Sequence, residues 1–261
     1  MPLIQNQAKA KLEAGELALG MGVRITRSVE IAKIAKVSGF DWLFIDMEHG
    51  AMSVDSACQI SVAALDAGVT PIVRTPGHEH FHATRVLDGG AQGVVVPHVS
   101  TVESARQVAD NCRYPPVGHR SLAGSMAQLE YEALAIGEAA KLINANTLVT
   151  VMLETPEAIE NADAIAAVAG IDVLLIGTND LCAEMGIHGQ FGHERVAKAY
   201  ERVIAACRNN RKHPGMGGVY DQELSSKYIK MGARFLLAGA DLSLMMTAAK
   251  ARTQFLRQIS R

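Results

Sequence analysis

TLVTVMLE (147–154) and DVLLIGTND (172–180) are apolar runs of strand length, each closed by a carboxylate, Glu154 and Asp180. A strand surrounded by Val, Leu and Ile lies in a low-dielectric wall. A carboxylate at its end therefore needs a metal, an arginine or water to stay ionised. The arrangement recurs in WLFIDMEHG (42–50), which carries Asp46, Glu48 and His49, and in TPIVRT (70–75), which carries Arg74. Four strand ends with convergent polar chemistry describe an enzyme site.

Working outward, short β-branched runs alternate with longer stretches of helical period along the whole chain, which implies a parallel sheet. Eight strands are expected, at 17–23, 42–47, 70–75, 93–98, 148–154, 172–177, 215–220 and 233–239. The helical stretches between them, such as VDSACQISVAALDAG and TVESARQVADNCR, open on or beside a capping Ser, Thr or Asp. No GxGxxG turn follows the first strand, so a TIM (β/α)8 barrel is favoured over an open doubly wound sheet. The expectation is one barrel domain over residues 1–261, with an opening helix over 2–14. The long connection 113–131, with Arg113 and Arg120, reads as functional or interfacial. The apolar closing stretch 241–259 reads as a helix that covers a subunit interface.

Composition narrows the class. The chain has 261 residues, 49% of them apolar, enough to bury one large core. Its formal net charge of −2, without a basic stripe, argues against nucleic acid. MPLIQNQAKAKLEAGE has no signal-peptide core, and no apolar run approaches the roughly 20 residues of a membrane span, so a soluble cytoplasmic protein is expected. Cys58, Cys112, Cys182 and Cys207 are dispersed and read as small buried hydrophobes rather than a disulfide or zinc framework.

Residues at the C-terminal ends of barrel strands project into one pocket. Glu154 and Asp180 come from expected strands five and six, and adjacent strands lie about 4.8 Å apart, so both can reach one ion. All-oxygen ligation suits Mg²⁺ or Mn²⁺. The competing reading is helix capping, since Thr155-Pro156 starts a helix and Asp180 opens another. Arg74 suits a substrate carboxylate or developing oxyanion, or else partners Asp46 or Glu48. His49 suits a general base, and Asp88 an acid that orients it. His78, His80 and His82 read as solvated or interfacial. All ten lysines fall in helices or loops, so a Schiff-base mechanism lacks its nucleophile. GxSxG, P-loop and HExxH motifs are absent.

FDWLFIDMEHG, PIVRTP, RVLDGGAQGVVVPHV, RYPPVGHRS, MLETPEAI and IGTNDLCAEMG, in this order, resemble the HpcH/HpaI family of metal-dependent pyruvate aldolases over nearly the whole chain. The resemblance implies a TIM barrel assembled as a hexamer, a trimer of dimers, with the last helix packed on a neighbouring subunit. It implies a divalent metal (Mg²⁺ or Mn²⁺, with Co²⁺ admissible) and reversible cleavage of 4-hydroxy-2-oxo acids to pyruvate, or a related 2-oxo acid such as hydroxypyruvate, and an aldehyde. Glu154 and Asp180 match the metal ligands, His49 the catalytic base and Arg74 the transition-state stabiliser. Asp88 matches the acid that raises the basicity of that histidine. Gly177, Asn179, Asp180 and Arg74 fall at substrate-binding positions, with Asp46 and Glu48 supporting them. The chain departs from the pattern at Met152, where many members carry a substrate-binding Gln, and at Asn179. Two alternatives stand beside this reading: an acyl-CoA lyase on the same barrel, and a non-catalytic barrel that binds an oxo acid.

Overall fold

Eight parallel strands close on themselves in sequence order in the computed structural model, which describes residues 3–259. They are β1 (Ala18–Val23), β2 (Trp42–Asp46), β3 (Thr70–Arg74), β4 (Gly93–Val96), β5 (Leu148–Leu153), β6 (Val173–Gly177), β7 (His213–Gly217) and β8 (Phe235–Ala240). The helices are α1 (Gln7–Glu13), α2 (Ile31–Val37), α3 (Val54–Ala67), α4 (His80–Asp88), α5 (Val102–Cys112), α6 (Ile136–Asn146), α7 (Pro156–Glu160), α8 (Ala162–Ala166), α9 (Thr178–Glu184), α10 (Glu194–Asn210), α11 (Gln222–Met231) and α12 (Asp241–Ile259). The β1–β8 pairing closes the ring, so this is the expected TIM barrel.

The period of two along each strand sorts the core into two layers. Trp42, Phe44, Ile72, Val95, Leu148, Leu175 and Phe235 fill the barrel. Leu43, Ile45, Val73, Val94, Val149, Leu174 and Ile176 pack outward beneath the helices. Ala8 and Leu12 of α1 join the inner layer, so this helix plugs the end of the barrel where the strands begin. Asn6 caps α1 by accepting the Lys9 N–H, and its side-chain amide donates to the Gln92 and Asn146 carbonyls. That cap sets the start of the helix expected over 2–14; residue 2 lies outside the described residues.

Three strands depart from expectation by two residues or more: β8, which runs over Phe235–Ala240 rather than 233–239 because its pairing with β1 begins at Ala18↔Phe235, and β4 and β7, for local reasons. β4 stops at Val96 rather than residue 98, because Pro97 has no N–H to donate and His98 adopts φ 55. β7 runs over His213–Gly217 rather than 215–220. Its register against β6, from Val173↔His213 to Gly177↔Gly217, fixes the start, and Gly218 at φ 85 turns the chain away.

The loop 113–131 is anchored within the chain. The Arg113 guanidinium donates to the Gly170, Asn144 and Thr147 carbonyls, and Arg120 pairs with Asp88 while lying over the Tyr114 ring. α12 is the opposite case. Leu244, Met245, Phe255 and Ile259 on this helix are 43%, 54%, 52% and 69% exposed, leaving its apolar side chains uncovered in the single chain.

The inner layer has no slack at Trp42, which is fully buried, stacked on Phe235 at 4.0 Å and donates its indole N–H to the Ala18 carbonyl. A Cβ on Gly20 would lie 2.1 Å from that indole. Gly20→Ala should therefore cost about 1–3 kcal/mol of stability, the usual range for overpacking a core. Denaturant unfolding at equilibrium measures it, and an unchanged midpoint would contradict this packing.

Candidate functional site

The ends of β1, β2, β3, β6, β7 and β8, with Met152 from β5, surround one cavity of about 350 Å³ at the mouth of the barrel. Arg24, Phe44, Asp46, His49, Arg74, Met152, Gly177, Asn179, Asp180 and Tyr220 are on its wall. No lysine is, consistent with the absence of a lysine from every strand.

Arg74 is the best-fixed polar group there. Its Nε and Nη2 donate to the two oxygens of Asp46 at 3.0 and 2.7 Å, and Nη1 lies 2.7 Å from Glu48 Oε2. The guanidinium also lies over the Phe44 ring at 5.0 Å. The pairing alternative for Arg74 is thus realised with both partners at once. Arginine carries five N–H donors, so about two remain for a ligand. Asp46, 1% exposed, also accepts the backbone N–H groups of Glu48 and His49, both at 3.1 Å. This fixes the loop that presents the exposed His49, whose ring has no hydrogen-bond partner among the described residues.

Glu154 is 2% exposed and held from one side. The His98 backbone N–H donates to its Oε2 at 2.7 Å, and the His98 ring lies 3.2 Å from the same oxygen. The other ring nitrogen of His98 meets Glu48 Oε1 at 3.0 Å. Burial pushes the Glu154 carboxyl up to about 7; the His98 N–H and ring act against that rise, while Asp180 and Glu48 add to it. Among the described residues no lysine or arginine pairs with it. Its other oxygen lies along β6, where a Cβ on Gly177 would come within 2.8 Å of it.

Nor does any group of three or more His, Cys, Asp or Glu among the described residues form a metal cluster. The donor set that fits a cation is the pair of carboxylates, Glu154 and Asp180, with water and ligand oxygens completing the shell. A buried carboxyl under like-charge pressure is the environment in which a divalent ion restores the ionised form.

Asp180 and Asn179 sit in the first turn of α9, whose start is pinned by a 2.8 Å contact between the buried Thr178 and Tyr200 hydroxyls. Gly218 gives Asn179 room, since a Cβ there would fall 2.7 Å from its amide nitrogen. Met152 is 6% exposed and gives the floor an apolar thioether. Asp88 is the expected residue that the single chain does not bring in. α4 runs back from the mouth, so its last residue lies at the opposite end of the barrel, 2.5 Å from Arg120. The expectation that Asp88 acts on His49 is not met within one chain.

His98, Arg24 and Tyr220 are not among the residues expected in the site, although His98 and Tyr220 close the strands expected over 93–98 and 215–220 and Arg24 follows the one over 17–23, so the strand-end rule applied to Glu154 reaches all three. Asp241 gave no signal at all. Its carboxylate accepts the N–H groups of Arg24, Ile25 and Thr26 at 3.1, 3.1 and 2.8 Å and clamps the β1 end of the cavity.

The family model for HpcH/HpaI aldolase/citrate lyase matches residues 26–248. The chain belongs to this family. Among its relatives, a 4-hydroxy-4-methyl-2-oxoglutarate aldolase of Chaetomium globosum is 40% identical over 94% of this chain and 92% of its own length. A 4-hydroxy-2-oxo-heptane-1,7-dioate aldolase of Escherichia coli is 32% identical over 95% and 94%. The crystal structure of an HpcH/HpaI aldolase from Desulfitobacterium hafniense superposes with a TM-score of 0.90 at 28% identity, over 95% of this chain and 96% of that one.

Asp241 generates a test of how this family member holds its cavity rim. Burial alone would raise its carboxyl, but the N–H groups of Thr26, Arg24 and Ile25 outweigh it and hold the pKa below the ordinary 3.8. A depressed folded-state pKa means the contribution is present above 3.8 and fades as pH falls through the folded value. Asp241→Ala should lose about 1–3 kcal/mol at neutral pH. In urea unfolding as a function of pH, the gap between wild type and variant should narrow below pH 3.8; a constant gap would refute the clamp.

Proposed function

We propose that this protein is a metal-dependent aldolase that cleaves 4-hydroxy-2-oxo acids reversibly to pyruvate, or a related 2-oxo acid, and a carbonyl acceptor. The observation that carries this reading is the placement of the buried, cation-seeking Glu154 carboxyl, the exposed Asp180 carboxylate and a half-committed guanidinium at the mouth of one lysine-free cavity. The relatives' aldolase activities support it.

Glu154 and Asp180 hold the divalent ion, Mg²⁺ or Mn²⁺, with Co²⁺ admissible. When bound, the ion supplies a Lewis acid that polarises the 2-oxo group. The Asn179 backbone N–H and the first turn of α9 orient the substrate carboxylate, and Met152 packs against the apolar C3 side. His49, free to reach the ligand, takes the proton from the 4-hydroxyl. The C3–C4 bond then breaks, its electrons move toward the 2-oxo oxygen, the acceptor carbonyl departs, and C3 takes back a proton, returned by the protonated His49 or by water, to give pyruvate. Arg74 uses its remaining donors to stabilise charge on the C4 oxygen. The Asp46 fork keeps that guanidinium from following the ligand, so reorganisation at the moment of reaction is small.

The four free cysteines suit a reducing, cytoplasmic setting, and no helix among the described residues is long and apolar enough to cross a membrane. The uncovered apolar side chains of α12 support assembly with further copies of the chain, in the hexameric arrangement that the family resemblance implies.

Pyruvate methyl exchange in D₂O, followed by proton NMR on chelator-treated protein, is expected only after Mg²⁺ or Mn²⁺ is restored. Exchange without metal would overturn the reading. Glu154→Ala and Asp180→Ala should abolish saturable metal binding in isothermal titration. Arg74→Ala should reduce cleavage by about 10²–10³ in turnover, the usual loss for one positioned donor; near wild-type rates would remove Arg74 from the reaction.

A further inference from the structure

Among the described residues, Arg24 is the one cationic group on the cavity wall that the proposed aldol chemistry does not use. Its Nε is 3.6 Å from Asp46 Oδ2, outside hydrogen-bond reach, and its side chain is 47% exposed. Asp46 has little left to offer it, because both carboxylate oxygens are already taken by Arg74 and one also accepts two backbone N–H groups. An ion pair this open and this long contributes little by itself. Arg24 thus keeps a planar fork free for an outside oxyanion.

Its position is defined even though its partner is weak. Asp241 takes the N–H groups of Arg24, Ile25 and Thr26, which pins the backbone from which the side chain extends. In the closed strand order, β1 lies four strands from β5, so Arg24 faces the Glu154 end of the mouth from the opposite side. Tyr220 stands on the same wall; its phenol is pushed up by the protein crowded around it, and the Arg24 and Arg74 guanidinium groups both act against that rise. Leu237, Ala240 and Leu242 complete that side with apolar surface. A ligand with its 2-oxo acid end at Glu154 and Asp180 therefore directs its other end at a guanidinium beside an apolar patch.

We propose that Arg24 anchors a carboxylate on the acceptor half of the substrate, so that the carbonyl compound released or condensed here is itself a carboxylic acid rather than a plain aliphatic aldehyde. The inference rests on the aldolase reading and adds the substrate class to it. The carboxylate has two sources. It is attached to the reacting carbonyl carbon, as in a 2-oxo acid acceptor, or it ends a short chain, as in an acid semialdehyde. Both place an anion on the β1 side.

The test compares kcat/KM of the metal-loaded wild type, Arg24→Gln and Arg24→Glu on three substrates. These are 4-hydroxy-4-methyl-2-oxoglutarate, with a carboxylate on C4, 4-hydroxy-2-oxo-heptane-1,7-dioate, with one at the chain end, and 4-hydroxy-2-oxovalerate, with none. Wild type is expected to favour at least one dicarboxylate over the monocarboxylate. That ratio should fall by about 10–100-fold in Arg24→Gln, the usual loss of a charge-assisted hydrogen bond, and further in Arg24→Glu. The dicarboxylate whose ratio collapses identifies the source. Each ratio is taken on one preparation, so a partly folded variant cannot mimic the result. Equal losses on all three substrates, or a wild type that prefers the monocarboxylate, would overturn the anchor while leaving the aldolase reading intact. A wild type that cleaves none of them and shows no metal-dependent pyruvate exchange would overturn both.

Discussion

The Arg74–Asp46 fork, closed across the ends of β3 and β2, is the interaction on which the mouth of the barrel depends. Taking both charges out of water is costly, and only a bidentate geometry with further hydrogen bonds makes it tolerable. Asp46 obtains those bonds from the N–H groups of Glu48 and His49, so the pair also folds the loop after β2. From Arg74 the contacts continue to Glu48, from Glu48 to the His98 ring, and from His98 to Glu154. One polar chain thus runs over the ends of β2, β3, β4 and β5, linking the guanidinium to the buried carboxylate.

The cavity is asymmetric as a result. Acid groups that suit a cation gather at β5 and β6, and guanidinium groups gather from β1 to β3. Between them lie Met152 and Leu237, which exclude water without competing for polar ligand atoms. On the proposed reading, this asymmetry orients a small anionic molecule with its chelating end toward Glu154 and Asp180. Glycines make this arrangement possible: Gly177 lets Glu154 lie against β6, and Gly218 lets Asn179 approach β7.

Much of this was legible in the chain. Continuous Val/Leu/Ile runs separated by capped helices specify parallel strands, and eight of them fit one ring. Polar residues that close those runs must gather at one end, because every strand points the same way. Glu154, Asp180, Arg74, Asp46 and His49 were identifiable on that basis alone. The ends of β4 and β7 were set by Pro97, His98 and Gly218, whose backbone preferences override the apolar pattern, and the starts of β7 and β8 by register with their neighbours.

The sequence by itself determined the barrel, the direction of its strands and the residue types at its mouth, because these follow from periodicity and local backbone preference. Tertiary structure alone decided the pairings. Arg74 was compatible with a ligand or with an internal partner, and only strand adjacency placed Asp46 and Glu48 on it. Asp88 ends a helix that runs away from the mouth, so within one chain it meets Arg120. Asp241 reached the β1 loop because closing the ring brings β8 beside β1. Such contacts join residues distant in the chain, and their choice depends on three-dimensional distance, which periodicity does not encode.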